Sequence, residues 1–178
     1  CTGRGRRSVR GNAASAAACS APRASAFQRS RLVADAPPRW EAAVDNGIYD
    51  VTVAVGDAGN ALDSTHRITL ESTNVIAGFQ PTTANKIATV TQRVRVSDGR
   101  LTMDAAGGTN TKLLYLDIVP VSGTAGVGAT LARIDFQSAG AATGYGYMAD
   151  SGAAYAASRG YGWISQTSST PLSITGKG

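Results

Sequence analysis

The sequence predicts an all-β fold, an antiparallel β-sandwich of the jelly-roll kind carried behind a disordered N-terminal tail. Three observations point there. Hydrophobic residues make up 43% of the chain and charged residues only 16%, too few charges to coat the faces of helices. From Trp40 on, apolar and polar residues alternate with period 2. Gly, Asp, Asn and Pro interrupt that alternation about every 8 to 12 residues, the spacing of short strands in a sandwich or barrel. At 178 residues and 18.1 kDa the chain suits one domain with a tail.

The charge divides along the chain. Residues 1–39 hold eight Arg (4, 6, 7, 10, 23, 29, 31 and 39) against one acid, Asp35, for a net +7. The remaining 139 residues hold nine bases and eleven acids, for a net −2. The overall +5 therefore describes the tail, and nothing in the folded body suggests a nucleic-acid partner. The tail has no Lys and no hydrophobic period. Its Arg, Ala, Ser, Gly and Pro cannot bury enough apolar surface to offset ordering, so disorder is expected. Its composition fits a linker, a phosphate-binding arm, a targeting peptide or a GC-rich frame translated out of register. A start at Cys1 without Met is consistent with a fragment or a processed product, and an acylated lipoprotein residue is the less favoured reading. Cys1 and Cys19 both lie in the tail, where a disulfide would close a loop with no core in it.

In the body, Trp40 to Val44 predicts a short strand and Asp45-Asn46-Gly47 its turn. In the strand from Ile48 to Val55, Tyr49, Val51, Val53 and Val55 share the core face, while Asp50 and Thr52 face away. His66, Ile68 and Leu70 alternate with Thr65, Arg67 and Thr69, and a second short strand runs from Asn74 to Phe79 before Pro81. Val90, Val94 and Val96 lead into Asp98-Gly99 and then Leu101 and Met103, the signature of a hairpin. After a Gly-rich loop at 105–111, Lys112 to Val119 predicts a buried strand ended by Pro120. Residues 122–130 have linker composition. Leu131 to Gln137 predicts a strand with Ile134 and Phe136 inward, followed by a Gly/Ala/Tyr loop region and short strands at Trp163-Ile164 and Leu172 to Ile174. The expected core is Tyr49, Val51, Val53, Val55, Ile68, Leu70, Val94, Val96, Leu101, Leu114, Leu116, Ile118, Ile134 and Phe136.

Most chemistries find no support in this residue set. No stretch approaches the roughly 20 apolar residues of a membrane span. One His and two tail Cys leave little for a transition metal. His66, in Asp63-Ser64-Thr65-His66, is the only imidazole, and its place on the apolar face of a strand predicts a structural role rather than a triad. Asp57, Asn60 and Asp63 offer three oxygen side chains, fewer than the six to eight oxygens calcium takes, and read better as a solvated Asx-rich turn. Gly144-Tyr145-Gly146 and Gly160-Tyr161-Gly162 lack the Lys and the helix of a phosphate loop. No cofactor is expected, and no pair of acids is nominated for catalysis.

The informative cluster is aromatic. Five of eleven aromatic residues (Tyr145, Tyr147, Tyr155, Tyr161 and Trp163) fall between 145 and 163, interleaved with Gly and Ala and accompanied by Asp150 and Arg159. A saccharide presents apolar C–H faces and hydroxyl rims, so its site needs flat rings beside carboxylate and guanidinium groups. On that logic Tyr145, Tyr147, Tyr155 and Tyr161 are the candidate platforms, with Asp150 and Arg159 as hydrogen-bond partners. The competing reading is that the aromatics plug one end of the sandwich, Trp163 above all.

Ile48 to Val53, Gly56-Asp57, Asp63 to Ile68, Val96 to Thr102 and Leu114 to Ile118 together resemble the second half of malectin-like domains. Arg133 to Gln137, Gly144-Tyr145, Met148 to Tyr155 and Gly160 to Trp163 resemble the first half. The order is reversed: 40–120 matches the back half, 121–130 is a linker, and 131–178 matches the front half. The resemblance implies a galactose-binding-like jelly roll, as a circular permutation or as a fragment of a tandem array. One sandwich is the better reading, because a separate strand at 131–137 would expose Ile134 and Phe136. The family's middle segment, which carries some of its ligand-binding aromatics, has no counterpart here. The resemblance further implies a non-catalytic carbohydrate-binding module of a larger secreted or cell-surface bacterial protein, with an oligosaccharide or polysaccharide ligand and tandem neighbouring domains. The alternative is a structural or adhesion spacer that binds no sugar.

Overall fold

The computed structural model describes residues 38–57, 59–122, 128 and 130–175. The expectations for the tail, its two cysteines and most of the 121–130 linker lie outside those residues. Ten strands follow in order: β1 (Arg39–Ala43), β2 (Gly47–Gly56), β3 (His66–Leu70), β4 (Thr73–Phe79), β5 (Ile87–Val96), β6 (Arg100–Asp104), β7 (Leu113–Ser122), β8 (Ala132–Phe136), β9 (Met148–Asp150) and β10 (Tyr161–Ile164). They form two five-stranded sheets packed face to face, ordered β10-β1-β6-β3-β4 and β5-β2-β7-β8-β9. No helix occurs among the described residues. All pairings are antiparallel except β8 with β9, which run parallel. The chain is a β-sandwich.

Period 2 explains the core. Tyr49, Val51, Val53 and Val55 of β2 are buried, as are His66, Ile68 and Leu70 of β3 on the facing sheet. The apolar ones form one continuous cluster with Val94, Val96, Leu101, Leu116, Ile118, Ile134 and Phe136, and Trp40, Ala42, Ile76, Met103, Leu113, Tyr161 and Trp163 complete it. Each fully buried large aliphatic contributes about 1.5–3 kcal/mol. The strands after residue 131 belong to both sheets, since β8 pairs with β7 and β10 with β1. That pairing is what covers Ile134 and Phe136.

Four local expectations are corrected. The Asp98-Gly99 turn does not close a hairpin: β5 pairs with β2 in one sheet, while β6 pairs with β1 and β3 in the other. Gly99 takes the positive φ of 78° that the turn requires, but the chain crosses between layers. Val94 and Val96 thus reach the core from one side and Leu101 and Met103 from the other, an arrangement with the same period-2 signature as a hairpin. Pro120 does not end its strand, since β7 continues to Ser122. Pro120 stands opposite Tyr49 at a register shift, where the ladder can do without its missing N–H. A second shift, between Ala54 and Val55, brings Leu113 into the core cluster in place of Leu114, which is buried outside it. Finally, Leu172 to Ile174 is no strand, although Ile174 packs against the core, while the loop region after β8 contains the short strand β9.

The two sheets are tied through one carboxylate. Asp150, at the end of β9 and 4% exposed, accepts hydrogen bonds from Trp40 Nε1 at 2.9 Å, Trp163 Nε1 at 3.2 Å and Gly152 N at 2.7 Å. Both indoles pack edge-on against Phe136 of β8, with centroids 5.9 and 6.1 Å away. Replacing Asp150 by Ala strands two buried indole donors, so urea denaturation is expected to show a loss of about 2–4 kcal/mol. A loss below about 1 kcal/mol would show that the tie does not hold the sheets. Limited proteolysis should cut 131–175 and 40–119 at similar rates, because they share both sheets. A resistant 40–119 core with 131–175 rapidly digested would contradict that arrangement.

Candidate functional site

The connections between the layers gather at the two ends of the sandwich. At one end the β1–β2 and β5–β6 turns run side by side. Asn46 Oδ1 accepts from Gly99 N at 2.8 Å, and Val44 N donates to Gly99 O at 3.2 Å. Next to them Ala43 N donates to Gly160 O at 2.6 Å. Between these turns and β7–β9 opens a cleft of about 770 Å³. Trp40, Tyr49, Ile118, Ile134 and Tyr161 form its floor and walls. Its mouth carries the exposed side chains of Asp45, Asn46, Asp98 and Arg159, together with the exposed apolar groups of Leu131 and Met148. Apolar walls with a few convergent polar groups at the rim are the usual make-up of a small-ligand site.

Of the six residues picked from the sequence, the cleft brings together two. Tyr161 lines it from β10 and is 9% exposed, its ring 6.0 Å from Trp40. Arg159 stands at the rim, its guanidinium carbon 5.1 Å from the Tyr161 ring centre. Its Nε donates to Tyr161 O at 3.2 Å, and Nη2 donates to Ala154 O. Gly162 makes this corner possible: its φ is 143°, and a Cβ there would lie 2.7 Å from the Tyr155 backbone. The other four residues lie elsewhere. Asp150 points inward to the two indoles. Tyr155 is half-buried under Arg100, whose guanidinium carbon sits 4.8 Å from the ring centre while its Nη1 bonds Glu41 at 2.9 Å. Tyr145 is fully exposed at the tip of a turn closed by Tyr147 N donating to Gly144 O at 3.0 Å.

Tyr147 lies over the outer face of the second sheet, edge-on to Tyr115 at 6.1 Å and with Arg133 5.6 Å from its ring centre. Its hydroxyl donates to Asp117, and Gly144 N lies 3.4 Å from Asp135 Oδ2. Burial holds both carboxyls above the usual range; Arg133 and Tyr147 oppose the shift at Asp117, and the Gly144 N–H opposes it at Asp135. Asp117, Arg133 and Tyr115 carried no sequence signal beyond their alternation.

At the opposite end, Asp57 is 2% exposed rather than part of a solvated turn, because the Lys112 ammonium fills the space between Asp57 and Asp63. Ser64 Oγ donates to Asp57 Oδ1 at 3.0 Å. His66 is buried in the core, stacked on Phe79 at 5.9 Å, and its Nδ1 accepts from Lys112 N at 3.2 Å. Burial lowers its pKa, with Asp57 opposing and Lys112 adding to the shift, so the ring is held neutral. Among the described residues no group of three or more His, Cys, Asp or Glu is placed to hold a metal ion, and no helix is long and apolar enough to cross a membrane.

Comparison with protein-family models, with curated proteins and with solved structures brings up no match to this chain.

Asp135 supplies a pH test of this geometry. It is 1% exposed, and its Oδ1 has no hydrogen-bond partner among the described residues. Because burial raises its pKa in the folded state, the native chain binds the proton more tightly than the unfolded chain. Its penalty is absent below the unfolded value of about 4 and grows as pH rises through the folded value. Asp135→Asn should match the parent in stability near pH 3 and exceed it at pH 7 by about 1 kcal/mol. Denaturant melts at both pH values measure this, and an equal difference at the two would refute the assignment.

Proposed function

We propose that this chain is a non-catalytic carbohydrate-binding module of a larger secreted or cell-surface bacterial protein, and that an oligosaccharide or polysaccharide enters the cleft at the end of the sandwich. The observation that carries this reading is the cleft itself: a floor of packed Trp40 and Tyr161, with the exposed apolar groups of Leu131 and Met148 and a guanidinium, two carboxylates and an amide at its mouth. That pairing matches both surfaces of a sugar ring, its C–H faces and its hydroxyl rim. The resemblance of the two half-sequences to malectin-like domains supports the same ligand class and tandem neighbouring domains.

Arg159 is the group most suited to direct contact. Nε and Nη2 are held by the backbone oxygens of Tyr161 and Ala154, which fixes the guanidinium in place. Asp98 and Asn46 line the same cleft, on turns that are themselves bonded to each other. One observation favours the spacer reading instead: Tyr161, Trp40 and Trp163 are largely consumed by packing, and Asp150 is occupied by three donors.

Glycan-array screening followed by calorimetry on the best ligand separates the two readings. Arg159→Ala and Asp98→Ala should each weaken binding by about tenfold or more, equivalent to about 1.4 kcal/mol, with Tyr145→Ala near neutral. Wild-type protein that binds no glycan would leave the spacer reading. Binding lost in Tyr145→Ala but kept in Arg159→Ala would move the site from the cleft to the exposed turn.

A further inference from the structure

We propose that Lys112 and Asp57 condense to form an intramolecular amide, an isopeptide cross-link between the end of β2 and the start of β7. The two side chains meet where three layer-crossing connections converge. Gly56 N donates to Lys112 O at 3.1 Å, Asp57 N donates to Lys86 O at 3.0 Å, and Thr65 and Thr109 exchange two backbone bonds of 2.9 Å. Lys112 N is further held by His66 Nδ1. Both backbones are thus fixed by groups other than the reacting ones, and Lys112 Nζ rests in direct contact with Asp57 Oδ1.

The surroundings supply what the reaction needs. The side chains are 14% exposed for Lys112 and 1% for Asp57, so water is largely kept from the reacting atoms. Ser64 Oγ donates to Asp57 Oδ1 at 3.0 Å and is positioned to stabilise negative charge developing on that oxygen. Asp63 Oδ1 lies 3.2 Å from Lys112 Nζ and is positioned to take a proton from it. Asp57 Oδ2 is enclosed without a hydrogen-bond partner among the described residues, which marks it as the oxygen that leaves.

The atoms balance without a co-reactant. Asp63 relays protons from the ammonium, the nitrogen lone pair attacks Asp57 Cγ, and the C–N bond forms as the C–Oδ2 bond breaks. Two of the three ammonium protons depart with Oδ2 as water, and the third remains on the amide nitrogen. Nothing is oxidised or reduced. The ion pair holds two charges out of water, and the amide holds none, so condensation removes that desolvation penalty. Fixing both partners in contact supplies the proximity that such a reaction lacks between free molecules.

Intact mass of the full chain in denaturant tests the proposal. The wild-type chain should be one water lighter than its sequence, while Lys112→Arg and Asp57→Ala should keep full mass. Trypsin should fail to cut after Lys112, and tandem mass spectrometry should find residues 40–67 joined to 101–133 through Asp57 and Lys112. Asp63→Asn should leave a larger unlinked fraction; complete linkage in that variant would overturn the relay role given to Asp63. A wild-type chain at full mass would overturn the proposal, leaving an ion pair only. So would a missing water mapped to a succinimide at Asp98-Gly99. The wild-type mass does not depend on any variant folding.

Discussion

A charged carboxylate buried between two β-sheets is stable only if its oxygens are occupied, and the organisation of this sandwich follows from how Asp150 meets that constraint. Its three donors come from β1, β10 and the turn after β9. Two of them are indoles that could not be buried without an acceptor of their own. Carboxylate and indoles therefore satisfy one another, and the arrangement joins β9 of one sheet to β1 and β10 of the other. Phe136 fills the space between the two indoles, so polar satisfaction and packing fix the same three aromatic rings. The cleft lies directly beside this assembly, and its Trp40 and Tyr161 walls inherit the rigidity.

The two ends of the sandwich use their crossing connections differently. Where the β1–β2 and β5–β6 turns cross, short polar turns bond to each other and leave a cleft open beside them. At the opposite end the connections are drawn inward around the Lys112 side chain. Lys112 reaches Asp57, Asp63 and Ser64, and Lys86 Nζ reaches Gly59 O at 2.9 Å. Loops that in other proteins are gathered by a bound cation are here gathered by lysines of the chain itself. One end is thereby closed, and the other keeps an open cleft.

The sandwich and most of its core were legible because alternation is a local property. Tyr49 to Val55, His66 to Leu70 and Leu116-Ile118 needed only their own periodicity to be assigned inward. What alternation cannot express is the partner of a strand, so Asp98-Gly99 looked like a hairpin although its arms lie in different sheets. Register shifts were equally invisible, which is why Leu113 rather than Leu114 reached the core cluster and why Pro120 sits within a strand. Asp57 looked solvated because the ammonium that covers it lies 55 positions further along the chain.

Of the candidate site, the sequence exposed the residue types and not their directions. Asp150 and Tyr161 belong to the right chemical set for sugar binding, yet period 2 over a three- or four-residue strand leaves inward and outward equally open. Asp150 turned inward because two indoles needed an acceptor there. Asp45, Asn46 and Asp98 had no reason to stand out, being ordinary turn residues whose proximity to Arg159 arises only when the β1–β2, β5–β6 and β9–β10 connections meet. For the proposed ligand the consequence is physical: with most aromatic area spent on holding the sheets together, specificity would have to come from the rim. Arg159 has two of its nitrogens bonded to backbone oxygens and its guanidinium carbon 5.1 Å from the Tyr161 ring centre, so little rotamer freedom remains to be lost on binding. Under the proposed reading, a pre-fixed guanidinium beside a packed aromatic wall would discriminate hydroxyl geometry without an exposed stacking platform.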